Sequence, residues 1–559
     1  MKASILMALA VALVLLALAH PVQVWSQDTY LVSDSRVKID VDASGNVGWI
    51  RSLQGVNGGP VPRGSDLAPL YEQYRWIGVD FVRTHDDHLA FDISVVFPNM
   101  KADPSNEASY DFGSTDLEVQ GIISVGAQIL YRLGYSWGES SEVPTDYAQF
   151  AEICKHIVMH YNQGWANGFQ YGIRYWEIWN EPNIGYFWKG TPEQYFKLYD
   201  TVARTLKAAD PEIKVGGPAV ILGRVFVLEF LEFCRTNKSP LDFLSWHIYP
   251  ENQPYLVAEA ALQIQNLLRR YGFENTENFI TEWNFSARES PAELSNARGA
   301  SWASSVLVYL QDTSVSRAFW YRGNGGDYSL FLDNGDFKKS GYAFLAMKKM
   351  LETPLRLACS GSDKAGFATL AGRSENNHTL RVLISNYDSG YGEFALTLKN
   401  WGSSVGSVQV EIYVLNDAYD LALIDQFQLA KAEPLTITSQ IMPSSVYLIS
   451  FEAKQGTGET TAQQTVTATT TTQQEPLLTT QAKAAITTQV GPEFGIGFAF
   501  TAIGIGAVTV VGVGVAAGSR QRSEVFVHAG YYYCRKHRVP ALYAQGRLWC
   551  PVEQRHLRA

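Results

Sequence analysis

The sequence predicts an α/β fold, a (β/α)8 TIM barrel followed by an all-β sandwich domain, with a C-terminal transmembrane helix. From about residue 45 to 350, short β-branched or aromatic runs alternate with amphipathic ones, as in a parallel sheet flanked by helices. From about 355 to 452, short alternating runs are separated by Gly, Asn, Asp and Ser turns, which is typical of a β-sandwich. Residues 494–518 carry no charge and are long enough to cross a hydrocarbon core of ~30 Å.

Composition limits the kinds of partner. The 559 residues are 46% apolar and 18% charged, with 14 Trp, 29 Tyr and 27 Phe, so the chain is not wholly disordered. A net charge of −10 argues against a nucleic-acid partner, because neutralising phosphates requires an excess of Lys and Arg. Five cysteines are too few for a disulfide scaffold in a chain of this length.

The first 26 residues have the order of a signal peptide. Met1 and Lys2 are followed by the apolar run Ala3–Ala19 and a short polar stretch ending at Ser26. An uncleaved membrane anchor is the alternative. We expect the barrel to occupy residues 27–354 and the β-sandwich residues 355–454.

The barrel interpretation depends on eight candidate strands joined by amphipathic segments. Residues 147–161 show the apolar spacing of a helix, and Thr191 opens another helix with a capping-box pattern. The candidate strands are Ile50–Gln54, Asp80–Arg83, Gln128–Leu133, Tyr175–Trp179, Lys214–Gly217, Phe243–Trp246, Phe279–Thr281 and Ala318–Tyr321.

Two glutamates close candidate strands and are the predicted catalytic residues. A buried apolar strand runs into Asn180-Glu181-Pro182, and the second pattern, Thr281-Glu282-Trp283, lies about 100 residues later. The carboxyl ends of barrel strands carry the catalytic groups of such folds. Hydrolysis of a glycoside requires one protonated acid and one ionised carboxylate, which these glutamates can supply. The alternative is that each glutamate is a surface salt-bridge partner.

The segments at residues 176–183, 245–250 and 280–285 resemble the retaining glycoside hydrolases of clan A, closest in style to family 39, which includes β-xylosidases and α-L-iduronidase. The resemblance covers about residues 45–450. It implies that Glu181 is the general acid/base and Glu282 the nucleophile. The substrate-binding residues that it implies are Asn180 at the sugar 2-hydroxyl, His85 at the sugar, His247 and Tyr249 beside the nucleophile, and Trp320 as the aromatic floor.

These observations predict a membrane-tethered extracellular retaining glycosidase. It would hydrolyse O-glycosidic bonds of a plant-type or cell-surface polysaccharide or oligosaccharide, β-xylosidase-like, by double displacement and without a catalytic cofactor or metal. A non-catalytic glycan-binding or adhesion protein on the same fold is the alternative. An inverting enzyme is a second rival, which a wider carboxyl separation would support. The sugar and the choice between exo and endo action stay open.

The C-terminal region predicts cell-membrane attachment by a single pass. Residues 455–490 are rich in Thr and poor in aromatic residues, as in a disordered stalk. Residues 519–559, after the span at 494–518, hold eight basic residues, which places them in the cytoplasm by the positive-inside rule. The catalytic domain is therefore expected outside the cell.

The tail also contains a candidate structural zinc site. Two Cys-His pairs lie within 23 residues, in a compartment that disfavours disulfides. The four candidate ligands are Cys534, His537, Cys550 and His556. A plain basic segment lying on anionic lipid is the alternative.

Overall fold

A computed structural model describes residues 35–62, 67–87, 89–136, 142–222, 224–287, 292–402, 405–430 and 433–455, together with the backbone of short strands within 466–468 and 525–556. The predicted signal peptide, almost all of the stalk and the predicted membrane span lie outside the described residues. Within the described part of the chain, no helix is long and apolar enough to cross a membrane. The chain divides into two compact units, residues 1–473 and 474–559.

The first unit alternates strands and helices as far as residue 351 and continues as strands alone. The strands are β1 (Arg36–Trp49), β2 (Gly55–Asn57), β3 (Phe81–Arg83), β4 (Gln128–Leu133), β5 (Tyr175–Ile178), β6 (Lys214–Ile221), β7 (Phe243–Ile248), β8 (Glu277–Trp283), β9 (Val315–Trp320), β10 (Leu355–Cys359), β11 (Phe367–Arg373), β12 (Thr379–Asn386), β13 (Glu393–Lys399), β14 (Val405–Leu415), β15 (Asp420–Ala430), β16 (Leu435–Gln440), β17 (Ser445–Gln455) and β18 (Val466–Ala468). The α-helices are α1 (Tyr71–Ile77), α2 (Ile93–Val96), α3 (Gly113–Ser124), α4 (Tyr147–Gln163), α5 (Pro192–Ala209), α6 (Arg224–Asn237), α7 (Tyr255–Arg270), α8 (Ala297–Tyr309) and α9 (Lys339–Leu351). Short 3-10 helices cover Glu107–Ser109, Trp165–Asn167, Ala292–Leu294 and Leu310–Asp312.

Strands β2 to β9 form a closed parallel barrel in sequence order, and β9 pairs with β2 to complete it. Side chains from several strands fill the interior, and Phe243 and Phe279 stack there with ring centroids 4.7 Å apart. Because this cluster includes the first residues of β3, β5 and β7, it packs the end of the barrel at which those strands begin. The predicted barrel is confirmed, and its opposite end is the one available for a site.

The first barrel strand lies later in the chain than the sequence predicts. It is β2, and residues 50–54 form an irregular connection that leads into it. The buried Gln54 amide donates to the carbonyls of Ile77 and Phe344, each at 2.8 Å. These bonds hold the connection against two helices instead of a strand, which explains the difference.

The two helices predicted from the sequence are present as α4 and α5. At the start of α5, the Thr191 hydroxyl accepts the Gln194 N–H at 3.3 Å, and the Gln194 side chain accepts the Thr191 N–H at 2.8 Å. This reciprocal pair is the predicted capping box, which satisfies two backbone donors at the helix N-terminus.

The β-domain is one ten-stranded sheet rather than two separate sheets, with the order β15-β14-β17-β12-β11-β10-β1-β13-β16-β18. Residues from all of these strands except β18 contribute to one buried cluster, so the sheet curls over its own core. Strand β1 pairs antiparallel with β10 and parallel with β13. The β-domain therefore includes residues 36–49, which the sequence assigns to the barrel, as well as residues after 354.

Helix α8 joins the barrel to the β-domain. All of its residues except Arg298 are buried, because the barrel lies on one side of it and β11, β12 and β17 lie on the other. The Ser305 hydroxyl donates to the Gly366 carbonyl at 2.8 Å and lies 3.1 Å from the hydroxyl of Ser385. Barrel and β-domain residues belong to one continuous apolar cluster, so the two domains form one packed body.

In the second unit, the described backbone forms two small antiparallel sheets. The first pairs Val525–His528 with Tyr531–Cys534, and the second contains Leu542–Ala544, Arg547–Cys550 and Arg555–His556. Three of the four candidate zinc ligands end strands of these sheets, whereas His537 lies outside the described residues. The zinc site stays a prediction.

Candidate active site

Glu181 is held at the carboxyl end of β5 by an unusual backbone path. Trp179 and Glu181 have φ values of 75° and 45°, in the left-handed region that few side chains adopt. The Glu181 N–H donates to the Ala219 carbonyl of β6 at 2.9 Å, and Pro182 follows without an N–H of its own. The strand therefore cannot continue, and the carboxyl group stays at the open end of the barrel.

Glu282 is the penultimate residue of β8. A shift in the β7–β8 register just before His247 pairs His247 with Glu282. Tyr249 follows β7 in the chain, and its hydroxyl donates to Glu282 Oε2 at 2.6 Å. Strand β7 and its loop thereby support this glutamate from one side.

Arg83 connects four strands beneath the two glutamates. Its Nη1 donates to Glu282 Oε1 at 2.8 Å and to Asn57 Oδ1 at 3.0 Å, while Nε donates to Glu177 Oε2 at 2.6 Å. Nη2 donates to Asn180 Oδ1 at 2.7 Å. The Arg83 and Glu177 side chains are 0% exposed, so this guanidinium is a built-in counter-charge rather than a surface group.

His247 lies between the two glutamates. Its Nδ1 is 2.7 Å from Glu181 Oε1 and 3.4 Å from Glu282 Oε2. Burial and the positive charge of Arg83 hold the pKa of His247 well below its ordinary value, so the ring is neutral. In one tautomer the neutral imidazole donates Nδ1–H to an ionised Glu181, and in the other its Nδ1 accepts a hydrogen bond from a protonated Glu181, so the ring suits both states.

The environments of the two glutamates differ in charge. Burial and the nearby Glu282 raise the pKa of Glu181 well above its ordinary value. Burial raises the pKa of Glu282 to about 7, while Arg83 and the Tyr249 hydroxyl act in the opposite direction. Because Glu282 accepts both of these hydrogen bonds, it is the member of the pair that ionises first, and Glu181 keeps the proton.

Among the described residues, Glu181, His247 and Glu282 form the group with the geometry to hold a metal ion. One nitrogen of His247 and one oxygen from each of Glu181 and Glu282 lie within 4.8 Å of one another. Those groups already bond to each other, and Glu282 also binds Arg83 and Tyr249. A metal would have to displace these contacts beside an existing cation.

A further acidic group lies beside the pair. His85 Nε2 is 3.6 Å from Glu282 Oε1 and 3.5 Å from Asp86 Oδ1. Asp86 accepts a hydrogen bond from the hydroxyl of Tyr321, the residue after β9. Burial together with Arg83 holds the pKa of His85 well below its ordinary value.

The structure brings the predicted site residues together at this end of the barrel. The buried Asn180 presents its oxygen to Arg83, and its Nδ2 has no hydrogen-bond partner among the described residues, so that donor is available to a ligand. Trp320 is 1% exposed, and its indole N–H donates to the Tyr328 carbonyl at 3.0 Å. Its predicted role as an aromatic floor stays a prediction.

Several members of the site have no role in the sequence-based prediction. They are Arg83, Asp86, Glu177 and Tyr321. A buried Arg at a strand end needs hydrogen-bond acceptors from neighbouring strands. The Arg at the end of a predicted strand is therefore a sequence signal that could have identified Arg83 as a partner of the site's acids. No sequence signal indicates that Tyr321 binds Asp86, because these residues are far apart in the chain.

A closed (β/α)8 barrel with two buried, differently charged glutamates at the carboxyl ends of its strands has the arrangement that many glycoside hydrolases use. Comparison with known families agrees, since residues 70–321 match the model of glycosyl hydrolases family 39. The barrel is therefore similar to the family 39 enzymes, and the resemblance predicted from the sequence is confirmed.

Two bacterial β-xylosidases are similar in sequence. That of Geobacillus stearothermophilus is 27% identical over 281 residues, which cover 44% of this chain and 54% of that protein. That of Caldicellulosiruptor saccharolyticus is 29% identical over 194 residues, covering 31% and 37%. The match thus spans about half of the first relative and about a third of the second.

Solved structures extend the likeness over both domains. A glucosidase from Croceicoccus marinus has a TM-score of 0.68 at 28% identity and covers 75% of this chain and 100% of its own. A monomeric β-xylosidase from Caulobacter crescentus has a TM-score of 0.60 at 17% identity, covering 75% and 100%, which shows the shared fold.

Proposed function

We propose that this protein is a retaining, β-xylosidase-like glycosidase that acts on O-glycosidic bonds of an oligosaccharide or polysaccharide. One observation carries the proposal: Glu181 and Glu282 approach within 4.8 Å through one oxygen each, with opposite protonation favoured by their surroundings. Retaining enzymes hold their carboxyl groups about 5–5.5 Å apart, whereas inverting enzymes keep them about 6.5–9.5 Å apart to leave room for water.

The charges fit a double displacement. Glu282, ionised beside Arg83, attacks the anomeric carbon while Glu181 delivers its proton to the departing oxygen. This step gives a glycosyl-enzyme ester on Glu282 and a free alcohol. Glu181, now a carboxylate beside the neutral His247, then removes a proton from water, which attacks the anomeric carbon and releases Glu282. The sugar keeps its anomeric configuration.

The names of the related proteins support a β-xyloside or a glucoside as substrate. The two sequence relatives are β-xylosidases, and the structure with 28% identity is a glucosidase. We therefore expect hydrolysis of 4-nitrophenyl β-xyloside, β-glucoside or both.

A panel of 4-nitrophenyl glycosides and proton NMR of the first-formed anomer test this function. Turnover with net retention is expected. Net inversion would remove Glu282 from the role of nucleophile. Binding of glycans with no turnover on any member of the panel would favour the alternative, a glycan-binding or adhesion protein.

We further propose that the glycosidase is displayed outside the cell and tethered by residues 494–518. The support is the uncharged run itself, the basic segment at 519–559 and the signal-like N-terminus at 1–26. Protease added to intact cells should release a soluble active fragment by cutting within 455–490. Full protection of the glycosidase from external protease would contradict this topology.

A further inference from the structure

Tyr387 belongs to the β-domain in sequence, but its ring packs into the apolar cluster of the barrel. The residue directly follows β12, and it is 1% exposed. Its N–H donates to the Gly366 carbonyl at 3.2 Å. A Cβ atom on Gly366 would lie 3.0 Å from the Tyr387 ring, so glycine at this position leaves room for the ring. The β-domain therefore fixes the place of the Tyr387 side chain.

The hydroxyl of Tyr387 contacts the loop that follows β7. It donates to Asn252 Oδ1 at 3.3 Å. The same loop, residues 249–254, begins with Tyr249, whose hydroxyl donates to Glu282 at 2.6 Å. Because the loop is short and ends at α7, a bond at Asn252 also restricts where Tyr249 can lie.

The ring of Tyr387 contacts the segment that follows β8. Phe285, which comes shortly after Glu282 in the chain, meets the Tyr387 ring edge to face with centroids 6.5 Å apart. Phe285 also packs edge to face on Trp302 of α8, at 5.5 Å. Tyr387 thus contacts the segment next to Glu282 as well as the loop that carries Tyr249.

Arg298 holds these two rings together. Its guanidinium carbon lies 4.9 Å from the centre of the Tyr387 ring and 5.7 Å from that of Phe285. Nη2 is 3.6 Å from Asp388 Oδ2 in the β-domain, and Nη1 is 3.5 Å from Glu293 Oε1 in the barrel. A cation over the face of an aromatic ring is attracted to it, so Arg298 connects both rings to acids of both domains.

Such support matters most for loops at the carboxyl ends of barrel strands. Fewer backbone hydrogen bonds fix a loop than a strand, so loops open more easily. Catalytic groups must nevertheless stay within about 0.5 Å of their productive positions, and a misplacement of about 1 Å can cost about 100-fold in rate. The bond between Tyr249 and Glu282 joins the two segments that Tyr387 contacts.

We propose that Tyr387 is a positioning residue for the nucleophile. By contacting the segments after β7 and β8 at once, it holds the Tyr249 hydroxyl at hydrogen-bonding distance from Glu282. The β-domain thereby supports the chemistry of the barrel as well as its stability. This inference rests on the proposed function and adds to it a residue outside the barrel on which the site depends.

Two substitutions at Tyr387 test this role through the pH profile of kcat/KM for an activated 4-nitrophenyl glycoside. Tyr387→Phe removes the bond to Asn252 only and should lower kcat/KM by about 2- to 10-fold. Tyr387→Ala also removes the ring contacts and should lower it by about 10- to 100-fold. In both variants a weakened Tyr249–Glu282 bond raises the pKa of Glu282, so the acidic limb should move to higher pH, by about half to one unit in Tyr387→Ala.

The pH profile reports on Glu282 through the titratable and charged groups around it. These groups are Arg83, His85, Asp86, Glu181, His247 and Tyr249. Tyr387 acts on this set through the loop of Tyr249 and through the segment of Glu282 itself. A substitution that only weakens the fold leaves these contacts in the folded molecules unchanged, so it should not move the acidic limb.

Two control variants remove a tyrosine group elsewhere. Tyr309→Phe removes a hydroxyl that donates to the Phe367 carbonyl at 3.2 Å across the same domain boundary. Tyr447→Ala removes a buried ring that packs against Phe394 in the β-domain core. Both should lower stability and leave the acidic limb in place. A limb that stays fixed in both Tyr387 variants, or that moves as far in the controls, would overturn the inference.

Hydrogen exchange of the full chain gives a second readout that does not need turnover. Amides of residues 249–254 should exchange about 2- to 10-fold faster in Tyr387→Phe than in Tyr309→Phe. Equal exchange in the two variants would overturn the inference even if Tyr387→Phe lost activity. If the unmodified protein hydrolyses none of the glycosides, the proposed function fails, and hydrogen exchange still shows whether Tyr387 holds the loop.

Discussion

Tyr249→Phe is the sharpest test of how the site controls the ionisation of Glu282. The Tyr249 hydroxyl donates to Glu282 Oε2 at 2.6 Å, and this bond favours the carboxylate over the acid. A hydrogen bond to a charged group contributes about 1.5–3 kcal/mol, and about 1.36 kcal/mol corresponds to one pKa unit. Removing the hydroxyl should therefore raise the pKa of Glu282 by about one to two units from its value of about 7.

The sign follows from the role of the nucleophile. Glu282 must be ionised to attack, so activity is lost as the pH falls through its pKa, and a raised pKa moves this loss to higher pH. The measurement is kcat/KM for an activated 4-nitrophenyl glycoside between about pH 4 and 9. The acidic limb of the profile should move upward by about one to two pH units in the variant. On the plateau, kcat/KM should fall by a smaller factor than it does on the acidic limb.

Tyr199→Phe is the matched control. The Tyr199 side chain is buried, and its hydroxyl donates to the Pro240 carbonyl at 2.8 Å on the outer side of the barrel. The Tyr199→Phe variant loses one buried hydrogen bond, as Tyr249→Phe does, but it should leave the acidic limb of the pH profile in place. An acidic limb that stays fixed in Tyr249→Phe, or moves to lower pH, would refute the assignment of Glu282 as the group whose ionisation limits the rate.

Three further predictions follow from the same contacts and from the tail sequence. Glu282→Ala should lose nearly all turnover, whereas Glu181→Ala should retain activity on substrates with good leaving groups. Added azide should increase the activity of Glu181→Ala on these substrates and give a glycosyl azide of retained configuration. Equal losses on activated and unactivated glycosides would contradict the acid role of Glu181. Arg83→Met should destabilise the fold by about 3–5 kcal/mol in urea unfolding, because Glu177 and Glu282 lose their buried counter-charge. The control Arg235→Met removes an exposed pair with Glu232 and should cost about 0–1 kcal/mol. Similar costs for both would contradict the role of Arg83. The full chain should retain a zinc ion after dialysis, and Cys534→Ser should release it; metal content unaffected by the substitution would refute the proposed tail site.

The alternation of strands and helices is enough to predict the barrel. Runs such as β4 are buried on both faces and are recognisable as strands from composition alone. The place of β1 escapes prediction because its partners are β10 and β13, hundreds of residues away, and a strand's own sequence does not specify which distant strand it joins. The connection at 50–54 resembles a strand in sequence, but the Gln54 side chain hydrogen-bonds to two helices instead. No local sequence pattern predicts these two bonds.

The positions of Glu181 and Glu282 could be predicted because each lies at the carboxyl end of a strand, and strand ends of a parallel barrel converge. Their surroundings could not. The partners of Arg83 come from β2, from β5 and its carboxyl end, and from β8. The position of Asp86 depends on a left-handed turn at a residue that is not glycine. Both arrangements arise from tertiary packing, so they become visible only when the strands are assembled.

The position of β1 affects how the protein is made. This strand leaves the ribosome before any part of the barrel, yet its parallel partner β13 ends at Lys399. At about 5–20 residues per second, the strand waits roughly 15–60 s for β10 and roughly 20–70 s for β13 while the whole barrel is synthesised. An unpaired strand is a template for joining other chains, so chaperone binding to this segment during translation would protect the nascent protein. The barrel is thus synthesised while the first strand of the described chain still awaits its partners, so the β-domain can close only after the barrel has been made.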